Sequence, residues 1–379
     1  MIKLKENAPN VIDLFCGIGG ASLGFKQAGY NIRLGVDIDG KACEIFTHNI
    51  DSKIITKDIN NYTPSECLND AKIEKEKLDL LICCPPCQGF SRINKNGEGD
   101  PRNKLVEKTL EFILYLKPKV VVFENVPGIL AEKYKEKLDL FISKLKENRY
   151  LFSDNLRKNH LLNAANYGIP QTRKRFILIA VNKDSGMNEI SELKKTHSQK
   201  NNDFEKWKTV KDAIFNLKKL KSGEKDSKDK YHYAPSHTER ILKMIEKVRE
   251  FGGSHENLPD EYKLECHKKF DGHQDVYGIM DWNKPAPTLT AGWHTPSKGR
   301  YIHPKDNRGL TIREACRLQT FPDNFDFLNA SKQQISTYIG NAVPVELIRI
   351  IANHVANEMN WEDRLDRNNN ISFWKRIIK

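Results

Sequence analysis

Two settings in this chain place residue types where they could do covalent chemistry on an electron-poor ring. The first is Pro85-Pro86-Cys87-Gln88-Gly89-Phe90-Ser91, which follows the apolar run Leu78-Asp79-Leu80-Leu81-Ile82-Cys83-Cys84. A short β-prone run stopped by two prolines predicts a buried strand that delivers Cys87 into a rigid turn. The second is Glu124-Asn125-Val126, which ends the run Lys119-Val120-Val121-Val122-Phe123. A thiolate beside a carboxylic acid can add to a ring carbon while the acid neutralises the charge that develops. Other readings stand beside these. Cys84 and Cys87 form a C-x-x-C pair, which suits a redox or zinc element. A cysteine near a strand end is often a small core residue, and a strand-end glutamate is often structural.

The elements that must position these residues alternate along the chain. Val11-Ile12-Asp13-Leu14-Phe15 is a short apolar strand feeding Cys16-Gly17-Ile18-Gly19-Gly20, and residues 21–29 have helical composition. Strand, glycine turn and helix make a nucleotide-binding opening, because glycines let a ligand approach the backbone at a helix N-terminus. The spacing is G-x-G-G, with Ser22 in the third glycine's place of G-x-G-x-x-G, which argues against a pyrophosphate-bearing cofactor. A second strand, residues 32–36, ends in Asp37, where an acid either takes ribose hydroxyls or caps the next helix. Residues 42–49 look helical, 53–56 form a third strand, and Asp58-Ile59 again puts an acid at a strand end. Residues 150–155 and 175–181 supply the remaining strands. The order predicts an α/β fold, a doubly wound and mostly parallel sheet, with ligands at its carboxyl edge.

From about Asn182 the texture turns to Lys, Asn, Ser and Asp, which marks a domain boundary and a loop-rich insert, with helical periodicity over residues 238–251. The net charge of +12 favours a polyanionic partner. It does not locate the contact surface: residues 183–300 hold 23 Lys and Arg against 19 Asp and Glu, the share their length predicts. Further on, Thr311 with Glu314 reads as a capping box, and a last helix is expected to open at Gly340-Asn341-Ala342-Val343-Pro344 and run on to Met359. No run approaches the roughly 20 apolar residues of a membrane span, and the N-terminus lacks a signal-peptide core, so a cytoplasmic protein is expected. Eight scattered cysteines suit reduced thiols.

In this order the motifs resemble the C5-cytosine DNA methyltransferase family, of the bacterial or phage restriction-modification type. Asp13 to Gly20 resembles its cofactor loop, Pro86-Cys87-Gln88 with Phe90 and Ser91 its nucleophile loop, and Glu124-Asn125-Val126 its glutamate motif. Gln171-Thr172-Arg173-Lys174-Arg175 resembles its Q-x-R-x-R motif. Arg313-Glu314 with Arg317-Leu318-Gln319 and Phe321-Pro322 resembles its ninth motif, and Gly340 to Pro344 its last.

The resemblance implies an S-adenosylmethionine-dependent, Rossmann-like catalytic domain over residues 1–183 and a small domain over 184–334, with target recognition in 184–300. Residues 335–379 would return to the catalytic domain. Cys87 would attack C6 of a flipped cytosine, Glu124 would hold or protonate the N3 edge, and Arg175, with Arg173 nearby, would contact the base carbonyl or orient Glu124. The residues assign no base to removal of the C5 proton. Phe15 and Ile38 would pack on adenine, Asp37 would take the ribose, and Asp58 with Ile59 would hold the adenine edge. Cys16, Gly17, Ile18, Gly19, Gly20 and Pro86 would line the cofactor, with Asn341 and Val343 closing its methionine end. Where Ile38 stands the family carries Trp or another bulky residue. Gln88, Ser91, Thr288, Arg240, His294 and Arg300 are candidate DNA contacts. No metal is expected. The partner would be duplex DNA, acted on by a monomer, with any cognate restriction endonuclease acting separately. The alternative within the chemistry is a tRNA cytosine-5 methyltransferase; such relatives carry a Cys-Phe-Thr element that this chain lacks, and a smaller insert.

Overall fold

The apolar runs become strands, as their Val, Ile and Leu content predicts. They are β1 (Asn10–Leu14), β2 (Asn31–Asp37), β3 (Ile54–Thr56), β4 (Leu80–Cys83), β5 (Val120–Asn125), β6 (Tyr150–Leu151), β7 (Leu161–Asn163) and β8 (Lys174–Asn182). The computed structural model describes residues 4–86, 104–263, 275–366 and 370–377. One sheet runs β3-β2-β1-β4-β5-β8-β6, with β7 also paired to β8. The first five strands are parallel, and β8 lies antiparallel against β5, β6 and β7. Register aligns Leu14 with Val36 and Cys83, and Cys83 with Phe123. The carboxyl ends of β1, β2, β4 and β5 therefore share one edge. Strand order reverses between β1 and β4, the switch point at which open α/β sheets bind ligands.

Helices α1 (Gly20–Gln27), α2 (Gly40–Ile50), α3 (Pro64–Ala71), α4 (Lys104–Leu116) and α5 (Lys135–Glu147) connect these strands. One face of the sheet packs Leu14, Leu81, Val121, Phe123, Phe141 and Phe176 into a continuous core. α1 lies against the helix Val345–Glu358, and Gly24 makes that approach possible. A Cβ there would sit 2.7 Å from Ile348 Cβ and 2.8 Å from the Val345 carbonyl oxygen.

The last helix differs from expectation. Gly340 and Asn341 close a separate helix, Lys332–Asn341, opened by a capping box between Ser331 and Gln334, and a new helix begins at Val345. Pro344 accounts for the break: it donates no N–H and disfavours helical backbone in the residue before it. The stretch Lys332–Glu358 is long and apolar enough to cross a bilayer by composition, but 78% of its most apolar window is buried in the structure, the mark of core helices. The capping box expected at Thr311 and Glu314 forms as read.

The chain divides into two compact units. Met1–Asn163, Lys174–Lys195 and Val343–Lys375 form the sheet unit; Ala164–Arg173, Thr196–Ala342 and Arg376–Lys379 form the other. The second unit has its own small core of Ile245, Val248, Leu258, Ile279 and Ile302, to which the helix Glu239–Glu250 contributes. It also buries an ionic cluster in which Arg308 reaches Glu314 at 2.8 Å and Asp306 at 3.1 Å.

Candidate active site

β1 ends at Leu14 and the chain turns at once through left-handed backbone at Phe15 (φ 61°), Gly17 (φ 52°) and Gly19 (φ 85°). The two glycines do different work. A Cβ at Gly19 would lie 2.7 Å from Ile50 Cγ1 and 2.9 Å from Phe46 Cδ2, whereas one at Gly17 would meet nothing within 4 Å among the described residues. Gly19 is needed for packing, and Gly17 presents bare backbone. The Gly17 N–H donates to Asp37 Oδ2 at 2.7 Å, and the Asp39 N–H donates to Asp37 Oδ1 at 2.9 Å. Asp37 thus ties the end of β2 to the turn, and burial raises its pKa despite those bonds. Ile38 beside it is 68% exposed, while Cys16, Ile18 and Ile59 are buried. Asp58 Oδ1 accepts from the Asn60 N–H at 2.9 Å and from Asn60 Nδ2 at 3.0 Å. Pro86 lies half-buried just past the end of β4.

Beneath the turn sits Asp13, with no exposed surface. Its Oδ2 accepts from Ser22 Oγ at 2.6 Å, and among the described residues its Oδ1 meets no hydrogen-bond partner. Burial pushes this carboxyl up to about 7; the Ser22 bond opposes the rise, and the neighbouring Asp37 adds to it.

Pairing of β5 with β8 sets Glu124 opposite Ile177, so Arg175, two residues along β8, lies on the same face as Glu124. Arg175 Nε meets Glu124 Oε1 at 2.9 Å, with both side chains only about a tenth exposed, and Arg175 Nη1 donates to the Lys174 carbonyl at 2.8 Å. Asn125 Oδ1 accepts from the Val126 N–H at 2.9 Å and turns the chain into Pro127. A carboxylate and guanidinium fixed side by side at a strand end can engage a ring nitrogen and its adjacent carbonyl together.

In the second unit the Q-x-R portion of Gln171 to Arg175 is wholly buried at Gln171 and Arg173. Arg173 Nη1 donates to the Leu289 carbonyl at 2.9 Å, and Nη2 to the Gly340 carbonyl at 2.8 Å. Gln171 Oε1 accepts from the Leu289 N–H at 3.1 Å, and Gln171 Nε2 donates to Gln319 Oε1 at 3.0 Å. Thr288 Oγ1 donates to the Thr172 carbonyl at 2.9 Å.

A family model for C-5 cytosine-specific DNA methylase matches residues 9–357. The chain belongs to the C-5 cytosine-specific DNA methylase family. It is 32% identical over 350 residues to Type II methylase M.HgiDII of Herpetosiphon aurantiacus, covering 91% of this chain and 94% of that protein. It is 32% identical over 372 residues to Type II methyltransferase M1.BsuMI of Bacillus subtilis, covering 93% and 81% respectively. Among solved structures, a DNA modification methyltransferase encoded within a prophage (E. coli) superposes with a TM-score of 0.67 at 27% identity, over 93% of this chain and 100% of that one. Entamoeba histolytica methyltransferase EhMeth, at 18% identity, shares the fold with a TM-score of 0.61 over 93% of this chain and 99% of that one.

As a DNA cytosine-5 methylase the chain brings Phe15, Gly17, Asp37, Ile38 and Asp58 to the carboxyl edge of one sheet, and pairs Glu124 with Arg175. Cys87, Gln88 and Ser91 lie outside the described residues. Arg173, expected beside the chemistry with Arg175, is placed differently: its guanidinium is buried among the carbonyls of Leu289 and Gly340. It precedes β8, so the strand's register does not carry it onto the Glu124 face. Arg300 donates to Asp275 Oδ1 at 3.1 Å and to the carbonyls of Gly253 and Ile279 at 3.3 Å, whereas Arg240 stands exposed in the first turn of its helix. His294 is engaged with Ser336 Oγ at 2.7 Å. Asn341 is exposed at the close of its helix, and Val343 is buried. Sequence reasoning assigned no role to Asp13 or Gln319. For Asp13 the available signal was a polar residue inside an apolar run, which must find a partner when buried; the mixed segment around Gln319 carried no such signal.

Proposed function

We propose that this methylase transfers a methyl group from S-adenosylmethionine to C5 of a cytosine flipped out of duplex DNA, with Cys87 as nucleophile. The observation that carries the reading is the Glu124–Arg175 pair at the carboxyl end of β5, on the sheet edge that also bears the glycine turn. S-adenosylmethionine, when bound, supplies an electrophilic methyl group. The turn fits such a molecule: bare backbone at Gly17, a carboxylate anchored at Asp37, and an exposed apolar side chain at Ile38 suit a nucleoside's diol and ring face. In this reading Phe15 and Ile38 hold the adenine faces, Asp37 the ribose, and Asp58 with Ile59 the adenine edge. The product left in the site is S-adenosylhomocysteine.

Cytosine C5 is a poor nucleophile, and the residues of this chain answer that difficulty. The Cys87 thiolate forms a bond to C6 and the C5–C6 π pair is displaced. Glu124 donates a proton at N3 to neutralise the displaced charge, leaving an enamine that is nucleophilic at C5. Arg175 holds Glu124 by the pair described and faces the base carbonyl. After methylation, loss of the C5 proton to solvent, expulsion of the Cys87 thiolate and return of the N3 proton to Glu124 restore the neutral aromatic ring. In this reading the enzyme acts as a monomer in the cytoplasm, and a companion restriction endonuclease, where one exists, acts as a separate protein.

The test is incubation with methyl-labelled S-adenosylmethionine and either duplex DNA or tRNA, followed by nucleoside analysis. Label is expected on C5 of DNA cytosine, and Cys87→Ser is expected to abolish transfer while keeping DNA affinity. Label confined to RNA or to an exocyclic nitrogen would refute the reading.

A further inference from the structure

We propose that Gln171, Thr172 and Arg173 form a cradle that fixes residues 286–289, making Arg173 a positioning residue for DNA binding rather than a group that touches the reacting ring. The inference rests on the reading above only in taking Thr288-Leu289 as part of the DNA-facing segment. Its physical basis lies within the second unit.

Residues 286–291 have almost no regular structure of their own. Ala286 and Pro287 pair in parallel with Gln171 and Thr172, and there the ladder stops. Thr290 and Ala291 are held by Tyr301 and Ser336, through Thr290 Oγ1–Tyr301 OH at 3.2 Å and Ser336 Oγ donating to the Ala291 carbonyl at 2.7 Å. The stretch up to Leu289 is held by bonds from the same three residues, joined at the Thr288 carbonyl by Tyr301 OH at 3.1 Å. Thr172 Oγ1 donates to the Ala286 carbonyl at 3.2 Å, and the Thr172 carbonyl accepts from Thr288 Oγ1 at 2.9 Å. The Leu289 peptide is gripped at both ends, its N–H by Gln171 Oε1 at 3.1 Å and its carbonyl by Arg173 Nη1 at 2.9 Å. The two bonds on the Leu289 peptide are buried, with Gln171, Arg173 and Leu289 all without exposed surface.

The cradle is itself referenced to two other segments. Arg173 Nη2 reaches the Gly340 carbonyl at 2.8 Å, and Gln171 Nε2 reaches Gln319 Oε1 at 3.0 Å and the Leu318 carbonyl at 3.1 Å. Gln319 Nε2 in turn reaches the carbonyls of Ile339 and Ala342 at 2.6 Å and 3.0 Å. The rigid fork of one guanidinium therefore sets the distance between the Leu289 and Gly340 backbones. Gly340 shows how close that setting is: a Cβ there would lie 2.4 Å from the Ala291 nitrogen and from the Thr290 carbonyl carbon. A lysine cannot span both carbonyls, because its donors radiate from one nitrogen. An irregular segment ordered before binding spares the complex the entropy of ordering it, so loosening the cradle should weaken DNA affinity.

The experiment compares the wild-type enzyme with Arg173→Lys, Thr288→Val and Thr288→Ser, reading equilibrium affinity for duplex DNA and, separately, KM for DNA, KM for S-adenosylmethionine and kcat. Arg173→Lys is expected to weaken DNA affinity at least tenfold, with the loss on KM for DNA rather than on kcat or on KM for the methyl donor. Thr288→Val is expected to lose several-fold affinity, and Thr288→Ser, which keeps the hydroxyl, to recover it. A fall in kcat at saturating DNA with DNA affinity unchanged in Arg173→Lys would overturn the proposal. Where Arg173→Lys does not fold, the threonine pair decides, and equal affinity of Thr288→Val and Thr288→Ser overturns it. Because affinity is read without turnover, failure of wild-type enzyme to methylate DNA would count against the proposed reaction while leaving the cradle judged on binding.

Discussion

Replacing Asp13 by Asn should change how the stability of the protein depends on pH, in a direction that follows from where the carboxyl sits. Burial, opposed by the Ser22 bond and aided by Asp37, raises this group from 3.8 to about 7. Below pH 3.8 it is protonated in the folded and unfolded chains alike. Between there and 7 only the folded chain keeps the proton, so stability falls as pH rises, and the contribution is lost above 7. At about 1.4 kcal/mol per pH unit the full swing is at most about 4 kcal/mol. Asn is neutral throughout and still offers an oxygen to Ser22 Oγ, but its amide faces the place where Asp13 Oδ1 meets no partner among the described residues. That orphan costs about 1–3 kcal/mol at every pH. Urea unfolding of both proteins at pH 5, 6, 7 and 8 should therefore show the stability of Asp13→Asn rising relative to wild type by about 1.4 kcal/mol per pH unit up to about pH 7, with Asp13→Asn the more stable at pH 8. Taking the difference between the proteins cancels other titrating groups, such as His303, which burial lowers to about 4. Parallel curves for the two proteins would show that Asp13 is ionised in the folded state and would sink the argument.

Other consequences are read more simply. Glu124→Gln keeps the shape of the side chain but removes the charge facing Arg175 Nε; methyl transfer should drop about 10²- to 10⁴-fold with DNA binding retained, and single-turnover rates within threefold of wild type would remove Glu124 from the chemistry. Glu314→Gln removes one of the two carboxylates that meet the buried Arg308 guanidinium and leaves Asp306 at 3.1 Å, at a cost of about 1–3 kcal/mol in unfolding free energy. Burial pushes the Glu314 carboxyl up, but Arg308 outweighs it and holds the group at about 2. The stability it contributes is present above the ordinary glutamate value and is lost as pH falls toward 2, so an acid-side profile identical in wild type and Glu314→Gln would contradict the pairing.

What was legible in the sequence was whatever local chemistry dictates. A β-prone run stopped by glycines or prolines announces both a strand and its end, and an acid at such an end is visible by position alone, which is how Asp37, Asp58 and Glu124 were found. The Thr311 and Glu314 capping box was legible for the same reason, since its bonds span three residues. The break before Pro344 has a local cause but a weak signature, because apolar spacing continues across it into the helix Val345–Glu358.

The two arginines of Gln171-Thr172-Arg173-Lys174-Arg175 mark where local reasoning ends. They are the same residue type two positions apart, which in a continuous strand would place them on one face. The strand begins between them, at Lys174. Arg175 is inside the ladder, where pairing of β5 with β8 turns it toward Glu124, while Arg173 lies before it and is drawn to Leu289 and Gly340, 116 and 167 residues along the chain. Nothing in the five letters distinguishes a guanidinium that meets a carboxylate from one that meets two carbonyls, because the difference lies in distant segments. The same holds for Gly340. The sequence reads it as opening a helix, whereas it lies in the last turn of the helix Lys332–Asn341, and its stronger requirement is the Thr290–Ala291 backbone pressed to 2.4 Å of where a Cβ would stand. An enzyme whose chemistry sits at strand ends but whose recognition segment is held by contacts far apart in the chain will show its reaction in its motifs and its positioning residues only in three dimensions.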